Sequence, residues 1–219
     1  MVRLFPSLIA SNPLTLEKTL HQLRDVCNGF HVDIMDNQFV PNLGFSLDTV
    51  NAIRGATPLT LWVHIMAFQP AKYIDKLVMQ AQDIVSIHYE TAPVQELKTM
   101  LRNLQDRNIT ASIALQPHTP ISVLHDLMGC IDHVLLMSVQ AGFSGQQFIP
   151  HTVTKLTELA AFQRHYKTSW GVGVDGGINL ATIQEVLSGS VTDIALGSSV
   201  FFGNKPEEKL EQFAKIIEN

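Results

Sequence analysis

The feature that most narrows the fold is an alternation. Short apolar runs and longer amphipathic stretches take turns along all 219 residues. The apolar runs are Leu4–Ile9, Phe30–Ile34, Thr60–Met66, Ile84–His88, Thr110–Leu115, His133–Met137, Trp170–Val174 and Asp193–Leu196. Helical spacing marks 15–26, 46–54, 70–80, 93–106, 120–129, 150–165, 180–188 and 206–217, with a further short turn at Val200–Phe202. A strand followed by a helix, repeated without remainder, implies a parallel sheet, because parallel neighbours need a crossover connection. Eight such units predict an α/β chain folded as one (β/α)8 TIM barrel, a single domain over 1–219. Such barrels start at about 200 residues. The competing open, doubly wound sheet carries a Gly-x-Gly-x-x-Gly turn after its first strand. Here that turn reads Ala10-Ser11-Asn12-Pro13. No linker-like stretch or charge block marks a domain boundary. Asn12-Pro13, Thr119-Pro120 and Asn204-Lys205-Pro206 each place a polar cap and a proline where a helix is expected to start.

Charge and patterning remove some functions. The net charge is −5, and no basic run occurs. Nucleic-acid binding needs a clustered basic face, so no nucleic-acid partner is expected. No segment approaches the roughly 18 apolar residues of a membrane span, so no membrane partner is expected either. The opening Met-Val-Arg-Leu-Phe-Pro lacks the apolar core and cleavage site of a secretory signal, which makes a cytoplasmic location the expectation. Cys27 and Cys130 are too few and too far apart for a disulfide framework, and they read as buried free thiols.

Against this apolar background, a few strand residues stand out. The second run reads Phe30-His31-Val32-Asp33-Ile34-Met35-Asp36. Alternate strand residues share a face, so His31, Asp33 and Met35 point one way and Val32 and Ile34 the other. The third run puts His64 and Met66 on one face, and Asp175 closes the seventh. Burying a lone carboxylate is costly, and a metal ion would offset that cost. Two histidines and two aspartates at the carboxyl ends of strands two, three and seven converge where barrel enzymes place their chemistry. Such mixed ligands suit one divalent ion of zinc, iron, manganese or cobalt without choosing among them.

A second constellation is glycine-rich. It comprises Gly142, Ser144 and Gly145 after the sixth run, Gly176 and Gly177 after the seventh, and Gly197 and Ser198 after the eighth. Glycine lets backbone N–H groups approach an anion, and the last barrel loops commonly hold phosphate. His88 and Glu90 close the fourth run, where a place at the rim of the site and a structural role are both open. His21, His118, His125, His151 and His165 read as solvated, and Lys155–Lys167 as an outer helix face.

These motifs together resemble the ribulose-phosphate 3-epimerases and the related allulose-6-phosphate 3-epimerases over nearly the whole chain. The resemblance is carried by Pro6-Ser7-Leu8, His31 to Asp36 with Phe39-Val40-Pro41-Asn42, Val63 to Met66, Met137-Ser138-Val139, Gly142 to Gln146, Val174 to Gly177 and Gly197-Ser198. It implies a barrel of the ribulose-phosphate-binding type, holding one divalent metal through His31, Asp33, His64 and Asp175. Asp33 and Asp175 would also be acid and base, inverting C3 of a ketose phosphate through an enediolate. It implies that Ser7 contacts substrate, that Met35, Met66 and Met137 crowd the reacting carbons, and that the glycine loops hold phosphate. A homo-oligomer, dimer or hexamer, and a place in carbohydrate metabolism such as the pentose phosphate pathway also follow from it.

The chain departs from the family pattern at Asn37, Gln38, Gln116, Gln140, Ala141 and Ser144, as a divergent paralogue would. Asn37 replaces a glycine, and asparagine tolerates positive φ better than most residues. A catalytically weak sugar-phosphate binder is the alternative reading. A phosphate-binding barrel decarboxylase fits less well, because the second run lacks the lysine of an Asp-x-Lys-x-x-Asp arrangement.

Overall fold

A computed structural model of the chain describes residues 2–218. Eight parallel strands form one sheet in the order β1-β8-β7-β6-β5-β4-β3-β2. They are β1 Arg3–Pro6, β2 Gly29–Met35, β3 Thr60–Met66, β4 Ile84–His88, β5 Thr110–Leu115, β6 His133–Met137, β7 Gly171–Asp175 and β8 Asp193–Leu196. The two edges meet through a parallel bridge, Ser7 to His31, and through hydrogen bonds between Leu4 and Asn28, which bring the sheet round into a nearly closed barrel. Outside it run α1 Leu16–Leu23, α2 Leu47–Ala56, α3 Ala71–Ile74, α4 Val94–Asp106, α5 His151–Tyr166, α6 Ile183–Leu187, α7 Ser198–Phe201 and α8 Pro206–Glu218.

Period-two alternation sorts the strand residues into two packed layers. Phe30, Val32, Ile34, Val63, Ile65, Val85 and Ile87 face outward, where they meet helix residues such as Leu20, Val50, Ile53 and Leu97. Phe5, Met35, Trp62, Met66, Leu135 and Met137 face inward and fill the barrel. Trp62 needs a small neighbour there, because a Cβ on Gly173 would lie 2.5 Å from its ring. Below the site the interior is polar. Trp62 Nε1 donates to Ser86 Oγ, which donates to Ser112 Oγ, and that hydroxyl lies 2.7 Å from His133 Nδ1. His133 Nε2 faces Asp193 at 3.4 Å, and Arg3 pairs with Asp193 at 2.6 Å. Under the sheet, buried Arg54 and Asp83 pair at 2.6 Å, and Asp83 also accepts the Leu61 N–H.

Most element positions agree with the alternation, and the exceptions have causes. The first strand stops at Pro6, not Ile9, and Leu8–Ala10 turns as a 3-10 helix. The stretch 70–80 yields only the one turn of α3. Backbone groups beyond it are taken by side chains instead: Arg107 donates to the Ile74 and Leu77 carbonyls, while Asn51 bonds Lys76 O and Val78 N–H. The segment 120–129 is a 3-10 helix over Ile121–Leu127, not an α-helix. Its buried residues Ile121, Leu124 and Leu127 recur every third position, which suits three residues per turn. Cys130 is buried, but Cys27 is only partly so. Burial pushes the Cys27 thiol up to about 12, so it is inert at neutral pH. No helix among the described residues is long and apolar enough to cross a membrane.

Candidate metal centre and active site

The inward face of β2 delivers His31 and Asp33, β3 delivers His64, and the last residue of β7 is Asp175. One potential ligand atom from each lies within 4.8 Å of all the others. His31 Nε2 is 3.2 Å from Asp33 Oδ1 and 3.7 Å from Asp175 Oδ2. His64 Nδ1 is 3.4 Å and 3.6 Å from the same two oxygens. Both histidines are fully buried, and His64 Nδ1 has no hydrogen-bond partner.

These charges shape one another. Burial alone would raise the Asp33 carboxyl, but His31, and then His64, hold it far below the usual carboxylate range. Burial pulls the His64 imidazole down, yet Asp175 and Asp33 outweigh it and push it up to about 9. Two carboxylates and two imidazole nitrogens therefore aim at one enclosed point, with an orphaned nitrogen among them. A divalent cation fits that donor set, and imidazole with carboxylate suits zinc, iron, manganese or cobalt.

Above this point opens a cavity at the carboxyl end of the barrel. Asp33 and Asp175 form its floor, with Ser7, Met35, Met66 and Met137 around them. Gly142, Ser144, Gly145, Gly176, Gly177, Gly197 and Ser198 line its other wall. The sequence-derived candidates are thus brought to one place, the two histidines lying beneath the floor. Ser7 Oγ donates to Asp33 Oδ2 at 2.8 Å, which fixes that carboxylate's rotation. Among the described residues no lysine or arginine lines the cavity, so an anion there would meet neutral N–H and O–H donors.

The surrounding loops are tied together. Asp36 Oδ1 accepts from the Gln38 and Phe39 N–H groups, while Oδ2 accepts from Phe68 N–H, joining the loops after β2 and β3. Asn37 adopts φ +56°, so the turn survives without glycine. Asn42 Nδ2 reaches the Gly142 carbonyl at 2.8 Å. Gly176 sits at φ +112° with Val139 packed where a Cβ would go, a position closed to other residues. Two of the departures touch: the Ala141 N–H points at Gln116 Oε1 at 3.4 Å, a contact that proline at 141 would delete.

Sequence reasoning left His88 and Glu90 open and misplaced Lys155. His88 is not at the rim. It is fully buried, its Nε2 2.8 Å from His64 Nε2, with the two rings stacked. Its Nδ1 is 3.2 Å from Glu90 Oε2. Burial drives the His88 imidazole down to about 4. Burial would raise the Glu90 carboxyl, but bonds from His88 and Thr119 bring it down to about 2. Lys155 is buried and not on a solvated face; its Nζ donates to the Gln116 carbonyl at 2.8 Å and also contacts the Pro117 carbonyl. The signal was present, since Thr152, Lys155, Leu156 and Leu159 make one i, i+3, i+4, i+7 stripe. His21, His118, His125, His151 and His165 are exposed, as read.

The profile of the ribulose-phosphate 3 epimerase family matches residues 3–201. A ribulose-phosphate 3-epimerase from Treponema pallidum is 33% identical over 201 residues, covering 91% of each chain. One from Bacillus subtilis is 32% identical over 206 residues, covering 92% of this chain and 93% of the relative. Among solved structures, KGPDC from Streptococcus mutans superposes with TM-score 0.71 at 12% identity, covering 100% of this chain and 98% of that one. Phosphoribosyl anthranilate isomerase from Thermococcus kodakaraensis superposes at 0.68 and 13% over the full length of both. At such identities the structural likeness speaks for the barrel alone.

Proposed function

This chain belongs to the ribulose-phosphate 3-epimerase family, and on that premise we propose how its barrel mouth inverts C3 of a ketose phosphate. The chain is an isomerase. The reading is carried by one observation: Asp33 and Asp175 meet His31 and His64 at a common point on the cavity floor. The substrate is ribulose 5-phosphate, supported by the name of a relative, a ribulose-5-phosphate-3-epimerase, and its C3 epimer is xylulose 5-phosphate.

A divalent cation there would supply Lewis acidity, stabilising the charge that appears as C3 loses its proton. His31, His64, Asp33 and Asp175 are the residues that would hold it. Asp33 and Asp175 stand on different strands, β2 and β7, and serve the two faces of C3. One carboxylate takes the C3 proton, and the C–H electron pair moves into the enediolate. The other, as its acid, returns a proton to the opposite face, so the epimer forms with no net change in protons. Ser7 holds Asp33 Oδ2 in place throughout. Met35, Met66 and Met137 keep water from the reacting carbons. Backbone N–H groups of the glycine loops and Ser198 take the phosphate.

The test is C3 proton exchange in deuterated water, followed by NMR, with ribulose 5-phosphate and allulose 6-phosphate offered separately to metal-loaded protein. Exchange and epimer formation with the pentulose, lost on chelation, is the expected result. Exchange confined to the hexulose would move the substrate to allulose 6-phosphate, and none with either would overturn the reading. Asp175→Asn removes one positioned acid–base group and is expected to lose about 10²–10⁴-fold in turnover. Undiminished epimerisation by that variant would sink the two-aspartate scheme.

A further inference from the structure

We propose that His88 and Glu90 are positioning residues that set the tautomer of His64, leaving its Nδ1 lone pair aimed at the cation site. The inference rests on the metal-dependent reading above. Glu90 Oε1 accepts from the Gln116 N–H and from the Thr119 hydroxyl. Its Oε2 faces His88 Nδ1 at 3.2 Å. An ionised carboxylate has no proton to give, so His88 Nδ1 carries one and His88 Nε2 is left as an acceptor. That acceptor lies 2.8 Å from His64 Nε2, which must then be the donor. A neutral His64 with its proton on Nε2 has a bare Nδ1, the atom that faces Asp33 and Asp175.

The relay opposes a competing preference. Asp33 and Asp175 both lie within 3.6 Å of His64 Nδ1, and on their own they favour a proton at that position. Such a proton would occupy the direction a cation needs. His88 is fully buried, so water cannot stand in for it as an acceptor. The ammonium of Lys155 on the Gln116 and Pro117 carbonyls lies close enough to Glu90 to favour its ionised form. A line of contacts thus runs from an outer helix, α5, to the metal cluster without a gap.

Glu90→Gln separates this role from simple packing, because it keeps shape and volume while changing which atoms can donate. The Gln116 N–H can only donate, so it claims the single amide oxygen, and the amide NH2 turns to His88 Nδ1. His88 must then accept there, carry its proton on Nε2 and reverse the chain. Histidine-labelled, zinc-loaded protein reports the tautomers by 15N NMR, and competition with a chelator reports zinc affinity without any turnover. Wild type is expected to show His88 protonated at Nδ1 and His64 at Nε2. Glu90→Gln is expected to move the His88 proton to Nε2 and to weaken zinc binding by about 10–100-fold, the range for lost outer-shell support. His88→Phe, which keeps a ring in the stack, is expected to lose affinity likewise. Wild-type His88 protonated at Nε2 would overturn the proposal, as would folded variants of both kinds binding zinc like wild type. Should the variants not fold, the wild-type tautomers alone decide it. A wild type that takes up no zinc would overturn the metal reading as well, so the two failures are distinct.

Discussion

His64 faces a pair of carboxylates, and in the proposed site it would face a cation with the opposite demand. Without a cation, Asp175 and Asp33 outweigh the effect of burial and push its imidazole up to about 9. A metal needs the neutral ring, so loading expels a proton wherever the pH lies below that value. Apparent metal affinity is therefore expected to rise by about tenfold per pH unit from neutral pH toward 9, then level off. Chelator competition across that range checks it, and a flat profile would show that His64 is already neutral. The four clustered residues were legible because polar groups at period two inside apolar strands have few explanations. His88 shares that period on β4, but nothing in its neighbours showed which atom it would meet. Its contact with His64 depends on the register of β3 against β4, in which His64 pairs with Ser86, and that is a property of the sheet and not of either strand alone.

At the scale of elements, the strands were the legible part, since an apolar run buried on both sides has little freedom to be anything else. The helices were less so where side chains captured their backbone groups. Arg107 and Asn51 end α3 after one turn, and neither lies within the stretch whose spacing reads as helix. The pair of Arg54 on α2 and Asp83 before β4 anchors the lower edge in a similar way. Asp83 accepts from Arg54 and from the Leu61 and Gln80 N–H groups. Asp83→Ala would leave a buried guanidinium without its charge partner and two N–H groups without acceptors. We expect a loss of about 3–5 kcal/mol, read from urea unfolding. A change below about 1 kcal/mol would mean that water replaces the carboxylate. In the loops, Gln116 and Ala141 show why single departures mislead: each looks like a lost family feature, yet together they make a contact.

Across the whole molecule, the barrel interior is a stack, with an ionic layer at the base, an aromatic and hydroxyl layer in the middle and the histidine–aspartate cluster on top. The base layer predicts acid sensitivity. Burial would raise the Asp193 carboxyl, but His133, Arg3 and Thr192 outweigh it and hold it below its usual 3.8. A depressed carboxyl stabilises the fold fully above its ordinary value and loses that contribution as pH falls through the folded-state value. Urea midpoints are expected to drop as pH falls below about 3.8, and Asp193→Asn is expected to flatten that drop. An unchanged slope in the variant would assign the acid limb to other groups. The seam between β1 and β2 has a consequence of another kind. Seven strand pairings are continuous ladders, while this one rests on the bridge from Ser7 to His31, the bond from Ser7 to Asp33 and two bonds between Leu4 and Asn28 at the other end. Three of the four clustered residues, His31 and Asp33 on β2 and His64 on β3, sit on one side of that seam, and Asp175 sits across it beyond β8. An ion held by all of them would act as a clasp on a hoop. Stripped of it, the barrel is freest to part there, baring two strand edges of the sort that recruit other chains. Stickiness on warming, seen as light scattering, thus becomes a property that a chelator turns up and added metal turns down.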